Sequence, residues 1–289
     1  MAIFVSLFIV GRATAWTPLL HRTPETSIDI FNNGGPFIDG KRGLGSEARR
    51  LLLDPDDWSN AEIMRFTKAG YEVAAWFNIA ARESGRTLSE QIDQKWLVLP
   101  KKGAMPEPAP GRFYLEAWQR VHLARLDEIA HKGFSSVVLG GIDTALRITN
   151  HPAIELEMIT WIKRVASHFK GLGFSTRRVY IYLPDNYPLS RKLPALVDGV
   201  LAEGLWYGPH HLGRHPWERE AFIKAAADWK TTVMTLDDVP GEEAADRVRA
   251  ESHMLGFDAG FGMVPLPSQI HLDHIDALQR PHDSSRSSH

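Results

Sequence analysis

The hydrophobic positions along this chain form short apolar runs that alternate with longer amphipathic stretches. Eight of the runs have the length and the β-branched or aromatic content of strands, and several are continuously apolar, as strands covered on both faces require. The predicted strands cover residues 16–20, 27–31, 72–77, 136–139, 179–183, 199–202, 231–236 and 257–264. Helical patterns lie between most of these runs, which predicts a parallel sheet with helical crossovers.

The helices are marked by apolar residues that recur at three- and four-residue spacings. The clearest helix is predicted over residues 153–170, where a proline precedes the pattern and a glycine follows it. Two more are predicted over residues 118–132 and 217–229. Ser59 and Glu62 have the spacing of a capping box and predict the start of a shorter helix.

Eight strands with interleaved helices are the elements of a (β/α)₈ TIM barrel, and the chain length is near that of such barrels. An open doubly wound sheet is the alternative, but no glycine-rich phosphate loop follows the first predicted strands. We therefore predict an α/β protein with a single-domain TIM barrel over residues 16–278. The proline-containing stretch 84–111 is predicted to be a long loop over the active face, acting as a lid or cleft wall.

The two ends of the chain differ from the middle. An apolar run at residues 2–10 precedes the small residues of positions 13–15, which predicts a signal peptide over residues 1–15 and a secreted protein, although no Lys or Arg precedes the run. A buried first strand is the alternative, because the run is too short to span a bilayer. The polar residues 279–289 predict a disordered tail.

Composition excludes several classes of function. The chain has 33 basic and 35 acidic residues, and a net charge of −2 argues against a nucleic-acid partner. It has no cysteine, which excludes disulfides, thiolate metal sites and a cysteine nucleophile. Its 9 Trp and 6 Tyr residues suit flat apolar ligand faces such as those of sugars, or else core packing. No GxSxG elbow is present, which argues against a serine hydrolase.

Polar side chains with catalytic potential follow the predicted strands, and barrel active sites collect at the carboxyl ends of strands. These residues are Asn78, Glu83, Asp143, Asp185, Asn186, Glu203 and Asp237, accompanied by the aromatic residues Trp76, Tyr182, Trp206 and Tyr207. Paired carboxyls beside aromatic faces suit glycoside hydrolysis, whereas any single carboxylate can also cap a helix or form an ion pair. Glu203 fits those structural roles least, because it is a lone carboxylate at the end of an apolar strand.

A histidine cluster offers a different chemistry. His210, His211 and His215 lie within six residues and, with Asp237 or Asp238, have the donor types of a metal-dependent hydrolase. Glycine and proline surround all three, and no helical HExxH pattern is present. We interpret the cluster as an exposed loop and predict neither a metal nor another cofactor.

The order of these motifs resembles glycoside hydrolase family 114, the endo-α-1,4-polygalactosaminidases. The likeness is carried by residues 73–78 with Glu83, then by 110–116, 137–143 and 202–203, and it extends from about residue 16 to residue 270. The resemblance implies a TIM barrel that acts on an α-1,4-linked, galactosamine-containing exopolysaccharide. It also implies two catalytic acids, an aspartate at the end of the fourth strand and a glutamate on the sixth.

This chain departs from that pattern at the fourth strand. The glutamate's counterpart is Glu203, but the aspartate position holds Gly140, followed by Gly141 and then Asp143. Glycine has no side chain with which to attack, accept or donate. Three hypotheses follow: Asp143 acts as the second carboxylate, Asp185 does so, or the protein is a pseudoenzyme that only binds carbohydrate.

The leading hypothesis makes Glu203 the general acid, with Asp143 or Asp185 as its partner. The predicted substrate contacts are Trp76, Asn78, Glu83, Tyr182, Asn186, Trp206, Tyr207 and Asp237. The expected partner is a cationic amino-sugar polymer, because carboxylates can pair with its ammonium groups. We expect a monomer with no membrane span.

Overall fold

The structure, a computed structural model, describes residues 49–68, 70–99, 105–106, 108–148, 151–173, 176–183, 193–208, 214–237 and 239–261. The predicted signal peptide, the first two predicted strands and the predicted tail lie outside these residues. So do Asp185 and Asn186.

The described strands form one parallel sheet and one short antiparallel pair. In chain order they are β1 (Arg49–Leu53), β2 (Tyr71–Asn78), β3 (Ala81–Arg82), β4 (Ala109–Pro110), β5 (Ser136–Gly140), β6 (Arg178–Leu183), β7 (Gly199–Glu203), β8 (Thr232–Asp237) and β9 (Asp258–Phe261). Within the described residues, seven strands pair in the order β1-β2-β5-β6-β7-β8-β9, all parallel, while β3 pairs only with β4. This confirms the predicted α/β class.

Helices connect most of the parallel strands. They are α1 (Asn60–Lys68), α2 (Glu116–His131), α3 (Thr144–Arg147), α4 (Ile154–Gly171), α5 (Pro216–Ala226) and α6 (Glu242–Met254). The three helices predicted from apolar spacing correspond to α2, α4 and α5. The predicted capping box is also present at α1, where the backbone N–H of Ser59 donates to Glu62 at 3.0 Å and that of Glu62 to the Ser59 hydroxyl at 3.4 Å.

Five predicted strands lie within the described residues and are confirmed, and the sixth, 257–264, is confirmed over the part that the structure describes, whereas β1 was not predicted. Its sequence offers only three leucines after two arginines, and Arg50 points to the inner side of the sheet, where an apolar residue is expected. The described strands form a curled sheet and not the closed eight-stranded barrel that was predicted. Within this part of the chain, β1 and β9 are its two edges.

The curl of the sheet brings inner side chains from six strands together. Alternate residues of a strand share a face, and the residues that meet inside are Leu52, Ala74, Val138, Tyr180, Leu201 and Met234, with Leu236, Trp76 and Tyr182 packed around them. The outer face is covered by α2 and α4. Trp118 and Trp161 from those helices each donate an indole N–H to the carbonyl oxygen of Ile79 at 3.0 Å, which fixes the chain just after β2.

A polar cluster occupies the amino-terminal end of the same inner face. Arg50 donates to Glu72 on β2 at 3.0 Å and also pairs with Asp258 on β9. The Tyr180 hydroxyl donates to the second oxygen of Glu72. Arg50 therefore links the first and last strands of the described sheet through its side chain.

The stretch predicted to be a long loop contains ordered turns. Short 3-10 helices cover Thr87–Gln91 and Gln94–Trp96, and the backbone N–H of Val98 donates to the carbonyl oxygen of Pro110 at 2.8 Å. At its far end, the N–H of Gly111 donates to the carbonyl oxygen of Ala80 at 2.8 Å. This stretch is therefore tied back to the carboxyl end of β2.

One buried histidine lies beneath that end of the sheet. His122 on α2 is fully buried, stacked on Trp118 with ring centroids 4.5 Å apart. Its Nδ1 donates to the Trp118 carbonyl oxygen at 2.9 Å, and its Nε2 has no hydrogen-bond partner among the described residues. Burial lowers the pKa of His122 to about 4, so the ring is neutral at physiological pH.

We expect His122 to make stability depend on pH. The unfolded chain binds a proton at this ring near the ordinary histidine pKa of 6.5, whereas the folded protein binds it only near 4. Stability should therefore fall as the pH drops from about 6.5 to about 4, by roughly 3 kcal/mol in total. His122→Phe should abolish this part of the slope. Urea unfolding between pH 4 and pH 7.5 gives the free energy of unfolding of the wild type and of the variant. The difference between the two removes the contribution of groups that titrate alike in both proteins.

His131 supplies a matched control on the same helix. Its Nδ1 lies 2.6 Å from the carbonyl oxygen four residues earlier, the same local contact that His122 makes, but its side chain is exposed. His131→Phe removes an imidazole from the same helix without removing the buried one. Equal slopes for wild type and His122→Phe would show that His122 is not held neutral by burial.

Candidate active site

Five predicted or motif residues meet at the carboxyl end of the curled sheet. Trp76 and Asn78 end β2, Gly140 ends β5, Tyr182 lies near the end of β6, and Glu203 ends β7. Asn78 and Gly140 are register partners. Because the strands are parallel, their ends form one edge on which side chains from β2, β5, β6 and β7 converge.

Glu83, which follows β3, is bound by side chains from β2. One carboxylate oxygen accepts the indole N–H of Trp76 at 3.1 Å and the amide N–H of Asn78 at 3.0 Å. The Asn78 side-chain oxygen accepts the backbone N–H groups of Ala80 at 3.2 Å and Ala81 at 2.9 Å, which holds the turn that leads to Glu83. Trp76, Asn78 and Glu83 are thus brought together as one group.

Two charged residues that the sequence reasoning missed support this group. Arg86 contacts the other oxygen of Glu83 at 3.3 Å and pairs with Asp54, which is fully buried just after β1. Burial, reinforced by repulsion from Arg125, lowers the pKa of Arg86 to about 10, so it is still a cation at neutral pH. Asp54 directly follows the leucines of β1. Its position at the end of a strand could have marked it as a candidate, but only if β1 had been predicted.

Glu203 and Tyr182 form the second part of the site. The Tyr182 hydroxyl donates to a carboxylate oxygen of Glu203, which is half-buried. The rings of Tyr182 and Trp76 meet edge to face, with centroids 5.3 Å apart and planes at 78°. The backbone oxygen of Glu203 accepts from Arg214 at 3.1 Å. Trp76 therefore joins the Glu83 group to the Glu203 group.

A cavity opens on the Glu83 side of this arrangement, and neither Tyr182 nor Glu203 is among its described lining residues. Its walls include Asp54, Trp76, Asn78, Glu83 and Arg86, with other residues from the stretch after β3. The wall combines an aromatic surface with carboxylates and a guanidinium. Such a mixture of a flat apolar face and fixed hydrogen-bonding groups suits a polar ligand such as a sugar.

The glycine pair at the end of β5 is explained by its neighbours on β2. A Cβ atom at Gly140 would lie 2.4 Å from Cζ2 of Trp76, and one at Gly141 would lie 2.1 Å from Oδ1 of Asn78. Gly141 also has φ +75°, a conformation that other residues adopt at a cost. The Trp76 indole thus occupies the space that a side chain at position 140 would need.

We expect Gly140→Asp to destabilise the protein by about 1–3 kcal/mol, because the new side chain overlaps the Trp76 ring. Trp76→Ala removes that ring, so the double variant should be more stable than the sum of the single effects predicts. Urea unfolding of the wild type, both single variants and the double variant measures this coupling.

Gly171 provides the control, because a Cβ atom there meets nothing within 4 Å. Gly171→Ala should leave stability close to that of the wild type. Strictly additive effects of Gly140→Asp and Trp76→Ala would contradict the steric account.

Neither of the two residues predicted as the second carboxylate, Asp143 and Asp185, has a described contact with Glu203. Asp143 lies just before α3, is half-buried, and pairs with Arg147 of that helix at 2.8 Å. Asp185 and Asn186 lie outside the described residues. The catalytic roles of Asp143 and Asp185 remain predictions.

Trp206, Tyr207 and Asp237 form a separate group on the helix side of β7 and β8. One oxygen of Asp237 accepts the backbone N–H groups of Trp206 at 2.7 Å and Tyr207 at 2.9 Å. The Trp206 indole N–H donates to Ser252 on α6 at 3.0 Å. Asp237 is 1% exposed, and burial raises its pKa to about 6 despite these two N–H donors. The carboxylate of Asp237 holds the loop after β7, and its contact with a substrate remains a prediction.

The histidine cluster is only partly described. His210 and His211 lie outside the described residues, while His215 caps α5, its backbone N–H donating to Glu218 at 3.1 Å. In the part of the chain that the structure describes, no three His, Cys, Asp or Glu residues are grouped as metal ligands are. A search of the helices in the same part finds none with the length and hydrophobicity of a membrane span.

Sequence comparison gives a partial relative of this chain. No protein-family model matches the sequence. An uncharacterized protein of Deinococcus radiodurans is 28% identical over 147 residues, which are 47% of this chain and 45% of that protein. The match therefore spans less than half of that relative.

Solved structures match over more of the chain. The glycoside hydrolase domain of PelA from Pseudomonas aeruginosa has a TM-score of 0.59 and 12% identity, covering 76% of this chain and 88% of that one. Ega3 of Aspergillus fumigatus, in complex with galactosamine, has a TM-score of 0.58 and 13% identity, covering 78% and 88%. The glycoside hydrolase domain of PgaB (BpsB) from Bordetella bronchiseptica reaches 0.50 at 13% identity, covering 80% and 81%. The fold is thus that of glycoside hydrolase domains, as the sequence resemblance implied.

Proposed function

We propose that this protein is a secreted glycoside hydrolase acting on an α-1,4-linked, galactosamine-containing exopolysaccharide, with Glu203 as its general acid. The observation that carries the proposal is the placement of Glu203. It ends β7 on the edge where glycosidase barrels hold their acids, bound by the Tyr182 hydroxyl beside the Trp76 ring. In this role Glu203 protonates the glycosidic oxygen as the bond to the leaving sugar breaks.

The proposed substrate class rests on the chemistry of the site and on one structural relative. Glu203 places negative charge beside the aromatic pair Trp76 and Tyr182, which suits a ring that carries an ammonium group. Ega3, whose fold this chain shares, was solved with galactosamine bound. Aromatic faces next to carboxylates would hold the apolar side of each sugar and pair with its amine.

The proposal also covers the closure of the barrel and the identity of the second catalytic carboxylate. Arg50 and Asp258 join the two edges of the described sheet through their side chains, which supports a closed, single-domain (β/α)₈ barrel. We further propose that the protein acts as a monomer. The second carboxylate, which attacks the sugar or activates water, is proposed to be Asp143 or Asp185. Trp76 fills the position next to Gly140, so the end of β5 does not supply it.

A second candidate function is carbohydrate binding without turnover. The specific observation in its favour is that Trp76 occupies the space next to Gly140, where the resemblance places a catalytic aspartate. An aromatic ring in place of an acid keeps a surface for a sugar while removing a reacting group. In this reading the site residues stay the same and only the chemistry is lost.

One experiment separates the two functions. The full chain is incubated with partially deacetylated galactosaminogalactan, and the products are sized by mass spectrometry while binding is followed by affinity electrophoresis in gels containing the polymer. Shortened oligomers support the hydrolase. Retardation of the protein without shortened products supports the binding function. If the protein is not retarded by the polymer and does not cleave it, both functions are overturned.

A further inference from the structure

Trp217 is an exposed aromatic residue at the start of α5. It is 66% exposed, and it is the one aromatic side chain among the strongly exposed large hydrophobic residues of the described chain. Within the same part of the chain, no ring contact or hydrogen bond of its side chain is found. An indole of this size is normally buried or used in binding.

The backbone places Trp217 on the same edge as Glu203. The N–H of Arg214 donates to the carbonyl oxygen of Gly204 at 3.2 Å, and the Arg214 guanidinium donates to that of Glu203 at 3.1 Å. Three residues span at most about 11 Å, so Trp217 begins its helix close to the end of β7.

The start of α5 is a rigid support for this ring. The Glu218 side chain accepts the backbone N–H of His215 at 3.1 Å, the Glu218 N–H donates to the His215 carbonyl oxygen at 2.9 Å, and Pro216 occupies the first turn. A side chain carried by a capped helix keeps its position better than one on an open loop. Trp217 therefore has the rigidity that a preformed binding surface needs.

Charge around Trp217 favours a cationic ligand. The guanidinium groups of the two neighbouring arginines are engaged by other rings: Arg219 lies over the Trp206 ring at 5.1 Å and Arg214 over the Phe222 ring at 5.1 Å. Glu220 is exposed and makes no ion pair within the described residues. Positions three apart on a helix are neighbours, so Trp217 and Glu220 share one face of α5.

We propose that Trp217 and Glu220 form an outlying subsite for one amino-sugar ring of the polymer. The apolar face of the pyranose stacks on the indole, and its ammonium group pairs with the carboxylate. This inference rests on the proposed carbohydrate function but not on catalysis, because a sugar can bind at Trp217 whether or not the polymer is cleaved.

The test compares polymer binding by Trp217→Ala, Trp217→Phe and Glu220→Gln with that of the wild type, by affinity electrophoresis in partially deacetylated and in fully N-acetylated galactosaminogalactan. We expect Trp217→Ala to weaken binding of the deacetylated polymer about tenfold and Trp217→Phe to retain most of it. Glu220→Gln should weaken binding two- to threefold, for the deacetylated polymer alone and at low salt alone. Thermal melting should be unchanged for all three variants.

Leu156→Ala is the matched control, because Leu156 is 65% exposed on a different helix, α4. If Trp217→Ala binds the polymer as tightly as the control while the wild type binds or cleaves it, this subsite is wrong and the proposed function stands. If the wild type neither binds nor cleaves, the proposed function fails and the subsite with it. A drop in the melting temperature of both Trp217 variants would assign the ring a structural role instead.

Discussion

Glu203→Gln should lower the rate of polymer cleavage by about 10²–10⁴-fold, the usual contribution of a general acid. Glutamine has nearly the same shape as glutamate and keeps an oxygen that can accept the Tyr182 hydroxyl. It has no acidic proton to give to the leaving oxygen. Binding of the polymer should therefore persist while turnover is lost, and reducing-end release together with affinity electrophoresis measures the two separately.

The matched control for this variant is Glu155→Gln. Glu155 is an exposed glutamate in the first turn of α4, and it makes no hydrogen bond or ion pair with the described residues of the candidate site. Its replacement should leave both cleavage and binding unchanged. If Glu203→Gln cleaves as fast as this control, the proton donor is another residue. If both binding and cleavage vanish and the protein still melts normally, Glu203 acts mainly in holding the substrate.

The contrast between Gly140 and Trp76 shows what a sequence pattern can and cannot give. The absence of a carboxylate at the end of β5 was predictable, because it is a matter of residue identity. Its cause was not, because Trp76 is 64 positions earlier and meets Gly140 only through the pairing of β2 with β5. Contacts between neighbouring strands depend on register, and periodicity does not give register to the single residue.

Strand and helix placement were predictable where apolar periodicity was strong, as at α4 and β8. Periodicity failed at β1, because Arg50 takes an inward position that the pattern reserves for an apolar side chain. Such a strand is stable only when distant residues neutralise the charge. Missing β1 also meant missing Asp54 and its pairing with Arg86 in the candidate site.

In the candidate site, too, the type of each residue is known from the sequence, but the face of the sheet on which its side chain lies is not. Trp76, Asn78 and Glu83 were predicted as separate substrate contacts, and the structure joins them by hydrogen bonds. Trp206 and Asp237 carry equally suggestive side chains at strand ends, yet they face the helices that cover the sheet. The outward direction of Asp237 follows from the two-residue alternation of β8, in which it shares a face with Val233, a core residue beneath α5.

Arg50→Met should destabilise the protein by about 3–5 kcal/mol, the cost of removing one partner from a buried ion pair. The guanidinium of Arg50 is about one-tenth exposed and is shared between Glu72 and Asp258. Methionine fills much of the same volume but leaves two carboxylates facing each other inside the curled sheet. Urea unfolding at pH 7 measures the loss of stability.

The control for charge loss alone is Arg247→Met. Arg247 pairs with Glu243 on the surface of α6 at 3.4 Å and is 58% exposed, so its replacement should change stability by less than about 1 kcal/mol.

Adding Asp258→Asn to Arg50→Met should recover part of the lost stability, because it removes one of the two negative charges that Arg50 neutralises in the folded protein. Glu72 keeps a second cation, Arg178 at 3.1 Å, so the recovery depends mainly on Asp258. If Arg50→Met is no more harmful than Arg247→Met, the link between β1 and β9 does not hold the sheet together. The curl of the described sheet would then depend on the apolar inner layer alone.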